Sequence, residues 1–348
     1  MKSTECYTAT NNNIPYELSD YVLGKYFHDV GLRQGWLPEN DNPIALAVSG
    51  GGDSIALLWL FSKFYHAPVT AIHINHGIRG SESDGDEKFT AMIAGEMGAS
   101  FHCVRVNVPS EREKGESIES AARRIRREAL IISARQLGIN SIMLGHNRDD
   151  LAETVIFNIL RGTGIRGGVG MTESTHAQGI TFYRPLLGLR REFLRDILRA
   201  RSISWREDNT NNDTEYTRNY IRLKLLPMIE SGINASAVEH LAQFGEDMRP
   251  IRENEDKISR EIIASCIDDD YTLNMKILRT HSDDEIALVI RDMGRRLGLR
   301  TLSRKRCNEL ARLIHRGGKF MFQWCGNMTV EGHKGKIYFG GRKDTCND

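Results

Sequence analysis

The sequence predicts an α/β fold, a parallel sheet with helices on both faces, followed by a smaller, mainly helical α+β domain. Three observations predict it. Compact apolar runs alternate with helical stretches from residue 44 onward, the pattern of strand–helix–strand units. A glycine cluster ends the first of those runs and a helix opens directly after it. Beyond Pro227 the pattern changes to long helices and then to short alternating stretches. The 348 residues suggest about two domains, and 40% hydrophobic with 27% charged residues is ordinary globular composition.

Taken in order, residues 1–40 read as an extension with one amphipathic helix from Tyr16 to Gly31, carrying Leu18, Val22, Leu23, Tyr26 and Phe27 on one side. Strands are expected at Ile44 to Val48, at Val69 to Asn75, in SFHCVRVNV from Ser100, and at Ser141 to Leu144. A last one is expected at Thr181 to Leu187. Between them SIALLWLFSKF, EKFTAMIAGEMGA, Ser117 to Leu137 and Leu151 to Leu160 have helical character. These boundaries give a first domain over 41–227 and a second domain over 228–348. In the second, helices are expected over Ala235 to Cys266, Asp283 to Leu297 and Ser303 to His315. An antiparallel sheet follows, with turns at Gly326 and Gly335.

Several classes are excluded. No stretch approaches the roughly 18 apolar residues of a membrane span. The N-terminus lacks a basic region followed by an apolar run, so no secretory leader is expected. The six cysteines include no C-x-x-C pair, so free thiols in a reducing, cytoplasmic setting are expected. The net charge of +1 hides a polarised second domain, acidic over 228–285 and basic over 286–348. Arg295, Arg296, Arg300, Arg304, Lys305 and Arg306 read either as a solvated face or as part of a phosphate-binding surface.

The strongest motif is Ser49-Gly50-Gly51-Gly52-Asp53-Ser54, set between a strand and a helix. Glycines let backbone N–H groups approach an anion, and the helix N-terminus favours its charge. Ser49 and Ser54 add hydroxyls. Asp53 would repel a phosphate unless a divalent cation lies between them. No Lys follows the glycines, which rejects a Walker A loop. A second motif, His146 to Thr154, opens a helix after a strand. Asp149 is expected to cap that helix, leaving Asp150 and Glu153, neighbours on one face, to point toward the strand ends. Arg123, Arg124, Arg126 and Arg127 lie on one helix and are either a solvated face or phosphate ligands. His73, His76 and Arg79 follow the second strand.

SGGGDS resembles the loop of the N-type ATP pyrophosphatases, with an adenine nucleotide alpha hydrolase-like, Rossmann-like fold. HINHGIRG, SIESAARRIRRE, LGHNRDDLAET, RGTGIRGGVGM, RPLLGLRRE and EDNTNNDTEYTRNYIR narrow the resemblance to the tRNA(Ile)-lysidine synthetases, in the shorter form without an extra C-terminal domain. The resemblance implies ATP as substrate, bound by Ser49, Gly50, Gly51, Gly52, Asp53, Ser54, His73, Arg123, Arg126 and His146. It implies Mg²⁺ held by Asp53 and Asp150, with either carboxylate also able to act as base, and lysine held by Glu153. Arg218 and Arg222 would meet phosphate or tRNA, and the second domain would bind tRNA. The implied partners are tRNA(Ile) with a CAU anticodon and free L-lysine, without a membrane, in a possible homodimer. The rival within the class is a tRNA thiolase, which the scattered cysteines disfavour.

Overall fold

The computed structural model describes residues 17–37, 42–77, 81–113, 116–207, 217–269, 272–326 and 328–340. Arg79 and most of the EDNTNNDTEYTRNYIR motif lie outside these residues. The chain divides into two compact units, 1–161 with 170–245, and 162–169 with 246–348. This differs from the boundaries expected at 41 and 227 in three places. α1 (Asp20–Gln34) buries Leu23, Phe27 and Val30 in the first unit's main core, with Phe27 edge-on to Trp36 and Phe61 at 4.8 Å each. The helical part of the expected extension is therefore core. Residues 226–245 stay with the first unit, because Leu226, Val238 and Ala242 pack there. The glycine-rich stretch 162–169 goes with the second.

The first unit is built on a six-stranded sheet. β1 (Ile44–Ala47), β2 (Val69–Asn75), β3 (Ser100–Arg105) and β4 (Ser141–Leu144) are parallel, and β6 (Ile180–Tyr183) joins β4 in parallel. β5 (Ser174–Ala177) turns back antiparallel on β6, giving the order β3-β2-β1-β4-β6-β5. That hairpin escapes the sequence pattern because β5, STHA, has no buried residue. All four residues of β1 are buried, as in a central parallel strand covered on both faces. The helices are α2 (Gly52–Phe64), α3 (Ser81–Glu96), α4 (Val108–Glu111), α5 (Ile118–Gln136) and α6 (Arg148–Leu160). After α7 (Ile165–Gly168) come α8 (Arg191–Arg199), α9 (Thr217–Tyr220), a π-helical turn at Ile221–Leu225, and α10 (Leu226–Gly232).

α11 (Ala237–Cys266) carries the unit boundary within its length. The second unit then has a sheet of β7 (Ile267–Asp269), β8 (Thr272–Asn274), β9 (Phe320–Cys325), β10 (Met328–His333) and β11 (Lys336–Phe339) in the order β7-β8-β11-β10-β9. Its helices are α12 (Met275–Leu278), α13 (Asp283–Arg296) and α14 (Arg304–Arg316). Trp324, Phe322 and Phe339 pack with Met293, Leu310 and Ile314 to form its core. No described helix is long and apolar enough to cross a membrane.

Gly170 closes the chain back onto α6, at φ +66°, where a Cβ would stand 2.8 Å from Val155 and 2.9 Å from Leu151. Left-handed backbone and overpacking both penalise a side chain there. Gly170→Ala should lower unfolding free energy by about 2 kcal/mol or more, read as a lower urea midpoint. An unchanged midpoint would contradict the packing described.

Candidate active site

The carboxyl ends of β1 and β4 deliver the two motifs to one place. After β1 the chain turns through Gly50 at φ +91°, a backbone that strains any side chain, and a Cβ there would crowd Thr90 Oγ1 at 3.0 Å. Gly51 is the N-cap of α2 and offers no side-chain acceptor, so the helix's first amides keep their donors. Buried Ser54 donates its hydroxyl to the Gly51 carbonyl at 2.8 Å and accepts from the Ser49 amide at 3.2 Å. In this structure its proton is spent within the loop. Ser49 is exposed. From outside, the Arg206 amide donates to the Gly50 carbonyl at 3.0 Å, and Trp205 lies against Gly52. Arg206 is itself fixed by Asp86 at 3.0 Å and by the Phe89 ring.

α6 begins differently from expectation. The cap is Asn147, not Asp149: its Oδ1 accepts the Asp150 amide at 3.0 Å, and Asp150 Oδ2 accepts the Asn147 amide at 3.1 Å. This reciprocal box fixes Asp150 and leaves Oδ1 directed away from its own helix. Asp149 serves α8 instead, accepting the Arg191 amide at 2.8 Å and Arg190 Nε at 3.2 Å. A carboxylate at that N-terminus also meets a favourable dipole.

Asp150 Oδ1 receives Arg191 Nη2 at 2.9 Å and Arg222 Nη2 at 3.0 Å. Glu153, one turn on and 0% exposed, receives Arg222 at 2.7 and 3.0 Å, Arg191 at 3.1 Å and Arg218 at 3.2 Å. Arg191 Nε also lies 3.5 Å from Asp53 Oδ2. One guanidinium thus touches all three predicted acids. Burial, opposed by Arg191, pushes the Asp53 carboxyl up to about 6, and its Oδ1 is buried without a hydrogen-bond partner. Burial works against the Asp150 charge too, but the guanidiniums of Arg191, Arg218 and Arg222 hold its pKa below the usual carboxylate value. Arg218 and Arg222, expected to face phosphate, are committed in this structure to Glu153 and Asp150. Two buried acids need cations, and the segment carrying these arginines supplies them.

His146 and His73 are both held toward the neutral form. His146 is driven down to about 3 by burial, aided by the charges of Arg184, Arg126 and Arg218, and its Nδ1 is buried without a partner. His73 is buried, stacks on Phe101 and pairs Nδ1 with the Val48 carbonyl at 2.9 Å. Its role in this structure is to tie β2 to β1. Arg123 and Arg126 are exposed on α5, and the charge of Arg126 reaches both histidines. In the second unit Arg295 and Arg296 pair with Asp292, and Arg306 donates to the Trp324 and Gln323 carbonyls. Of that expected basic surface, Arg300, Arg304 and Lys305 stand exposed, without such partners among the described residues.

Sequence reasoning thus placed Asp53, Asp150 and Glu153 together but missed Arg191, Asn147 and the Trp205–Arg206 clamp. The RPLLGLRRE run signalled Arg191 only as a motif member, without a role. Asn147→Ala removes the cap and should cost ~1 kcal/mol. It should also weaken nucleotide binding by loosening Asp150. Chemical denaturation and nucleotide titration check this, and a variant matching wild type in both would refute the box's role.

The PP-loop domain family matches residues 25–229. The tRNA(Ile)-lysidine synthase of Thermus thermophilus is 41% identical over 206 residues, 59% of this chain and 39% of that protein. That of Clostridioides difficile is 33% identical over 217 residues, 61% of this chain and 46% of that protein. That of Chlorobaculum tepidum is 36% identical over 221 residues, 62% and 66%. The match therefore spans less than two thirds of each of these relatives. Among solved structures, the U34-tRNA thiolase NcsA from Methanococcus maripaludis superposes with a TM-score of 0.55 at 17% identity, over 71% of this chain and 89% of that one, a likeness of fold alone. With the family's domain covering well over half its length and its glycine loop and acidic helix in place, this chain belongs to the PP-loop family.

Proposed function

We propose that this chain is a tRNA(Ile)-lysidine synthetase acting in the cytoplasm. The observation that carries the reading is that relatives bearing that name match over about 206 to 221 residues, a length close to that of the matched domain at 25–229, which contains the site just described. The reaction would ligate free L-lysine to C2 of the wobble cytidine in the CAU anticodon of tRNA(Ile), so that AUA is read instead of AUG. The cytidine carbonyl oxygen attacks the α-phosphorus of ATP and pyrophosphate leaves. The lysine ε-amine then attacks C2 and AMP leaves.

The chain's residues suit these steps. The amides around Gly50 to Asp53 and the α2 N-terminus would take the phosphate oxygens. Asp53 and Asp150 fit Mg²⁺: Asp53 Oδ1 is an orphaned buried oxygen, and Asp150 Oδ1 meets the same guanidinium. Two carboxylates completed by phosphates are a usual Mg²⁺ set. When bound, Mg²⁺ would stabilise charge on the phosphates. Glu153 would hold the lysine ammonium in exchange for one of its three guanidiniums, and a carboxylate of the cluster would take the amine's proton before attack. Exposed Arg300, Arg304 and Lys305 make the second unit a candidate tRNA surface.

The thiolase reading is weaker. Cys103, the described cysteine in the first unit's sheet, is pushed up to about 12 by burial and by Glu87, an unreactive thiol. Incubation with radiolabelled lysine, ATP, magnesium and tRNA(Ile) transcript should label that tRNA and leave the CAU methionine tRNA unlabelled. Asp53→Asn should reduce labelling at least ~100-fold. AMP and pyrophosphate release without label would replace lysine by another nucleophile, and no ATP turnover would sink the reading.

A further inference from the structure

Arg148 opens α6, directly after the Asn147 cap and two residues before Asp150. Arg190 is the N-cap residue of α8 and directly precedes Arg191. Each therefore lies one or two peptide units from a group of the acid cluster. Both are drawn to one carboxylate. Buried Arg148 donates Nε to Glu239 Oε2, and Arg190 Nη1 lies 3.8 Å from Glu239 Oε1. The Arg148 amide also donates to the Leu189 carbonyl at 2.9 Å. Arg190 reaches Asp149 at 3.2 Å and Glu230 at 3.0 Å. The starts of α6 and α8 are thus tied to each other, and Glu239 holds an arginine of each.

Glu239 is itself firmly placed. It stands in the first turn of α11 with its side chain 13% exposed. Its helix neighbours Val238 and Ala242 are buried in clusters with Ala152, and with Leu151 and Val155, all on α6. Close packing on both sides of Glu239 fixes the rotation of α11, so the carboxylate rides on a rigid element. Reacting geometry tolerates little error, since a displacement of about 1 Å can cost about 100-fold in rate. We infer that Glu239 is a positioning residue for the reaction. Through Arg148 and Arg190 it sets the starts of α6 and α8, and with them the 2.9 Å contact between Asp150 and Arg191. The inference rests on the proposed function for the reaction that this geometry serves.

The test separates the length of this side chain from its charge, in the full chain. Glu239→Asp keeps the charge and draws the carboxylate back by about 1.5 Å. Glu239→Gln keeps the length and an oxygen that can accept from Arg148, and loses the charge. Both kcat and KM for lysine incorporation are measured, with ATP affinity in the presence and absence of magnesium, and the urea midpoint. Glu239→Asp should lower kcat about 10- to 100-fold and lose the magnesium-dependent gain in ATP affinity, with KM for tRNA unchanged. Glu239→Gln should keep a kcat near that of wild type, even with a lower midpoint from the lost ion pair. A wild-type kcat in Glu239→Asp would overturn the inference. So would losses that rank with the urea midpoints of the two variants rather than with side-chain length, leaving Glu239 a structural ion pair. If wild type incorporates no lysine, the lysidine reading fails by itself. The magnesium-dependent ATP affinity of Glu239→Asp, lost or kept, then decides for or against Glu239.

Discussion

Two acids buried on one helix face set the terms for the rest of the first unit. Asp150 and Glu153 stand one turn apart on α6, and Glu153 has no exposure to solvent. Unpaired, each would cost several kcal/mol or take up a proton. The fold answers with three guanidiniums from two later segments, Arg191 from the start of α8 and Arg218 and Arg222 from the stretch around the π-helical turn. Those segments are held where they are by the charges they neutralise.

Arg191 connects this cluster to the glycine loop. Its backbone amide is capped by Asp149 and its side chain spans Asp53, Asp150 and Glu153. A residue bound at both ends in this way fixes the spacing between the starts of α2 and α6, the two helices whose N-termini bear the acids. Removal of positive charge between the acids would leave them to repel each other, so a cation must occupy that place in any state in which both are ionised.

Much of this was legible in the sequence. The parallel strands declared themselves as compact apolar runs, and the long helices of the second unit matched their expected spans to within a residue or two. SGGGDS and LGHNRDDLAET identified Asp53, Asp150 and Glu153 by their place after strands. What was not legible was pairing over distance. Nothing local to Arg191 or Arg222 says that their partners lie about 40 and 70 residues earlier. The sequence reading put the cap at Asp149 and did not consider Asn147, which caps as well as Asp does; Asp149 instead accepts the Arg191 amide at the start of α8. β5 was missed because an edge strand with no buried side chain leaves no periodic trace.

The account's central claim is that the α6 acids and the later arginines stabilise each other. A double-mutant cycle of Glu153→Gln and Arg222→Gln, read from urea unfolding, measures that directly. The expected coupling is about 1.5–3 kcal/mol, with each single change more damaging than the pair would suggest. Additive losses, with coupling below about 0.3 kcal/mol, would contradict it.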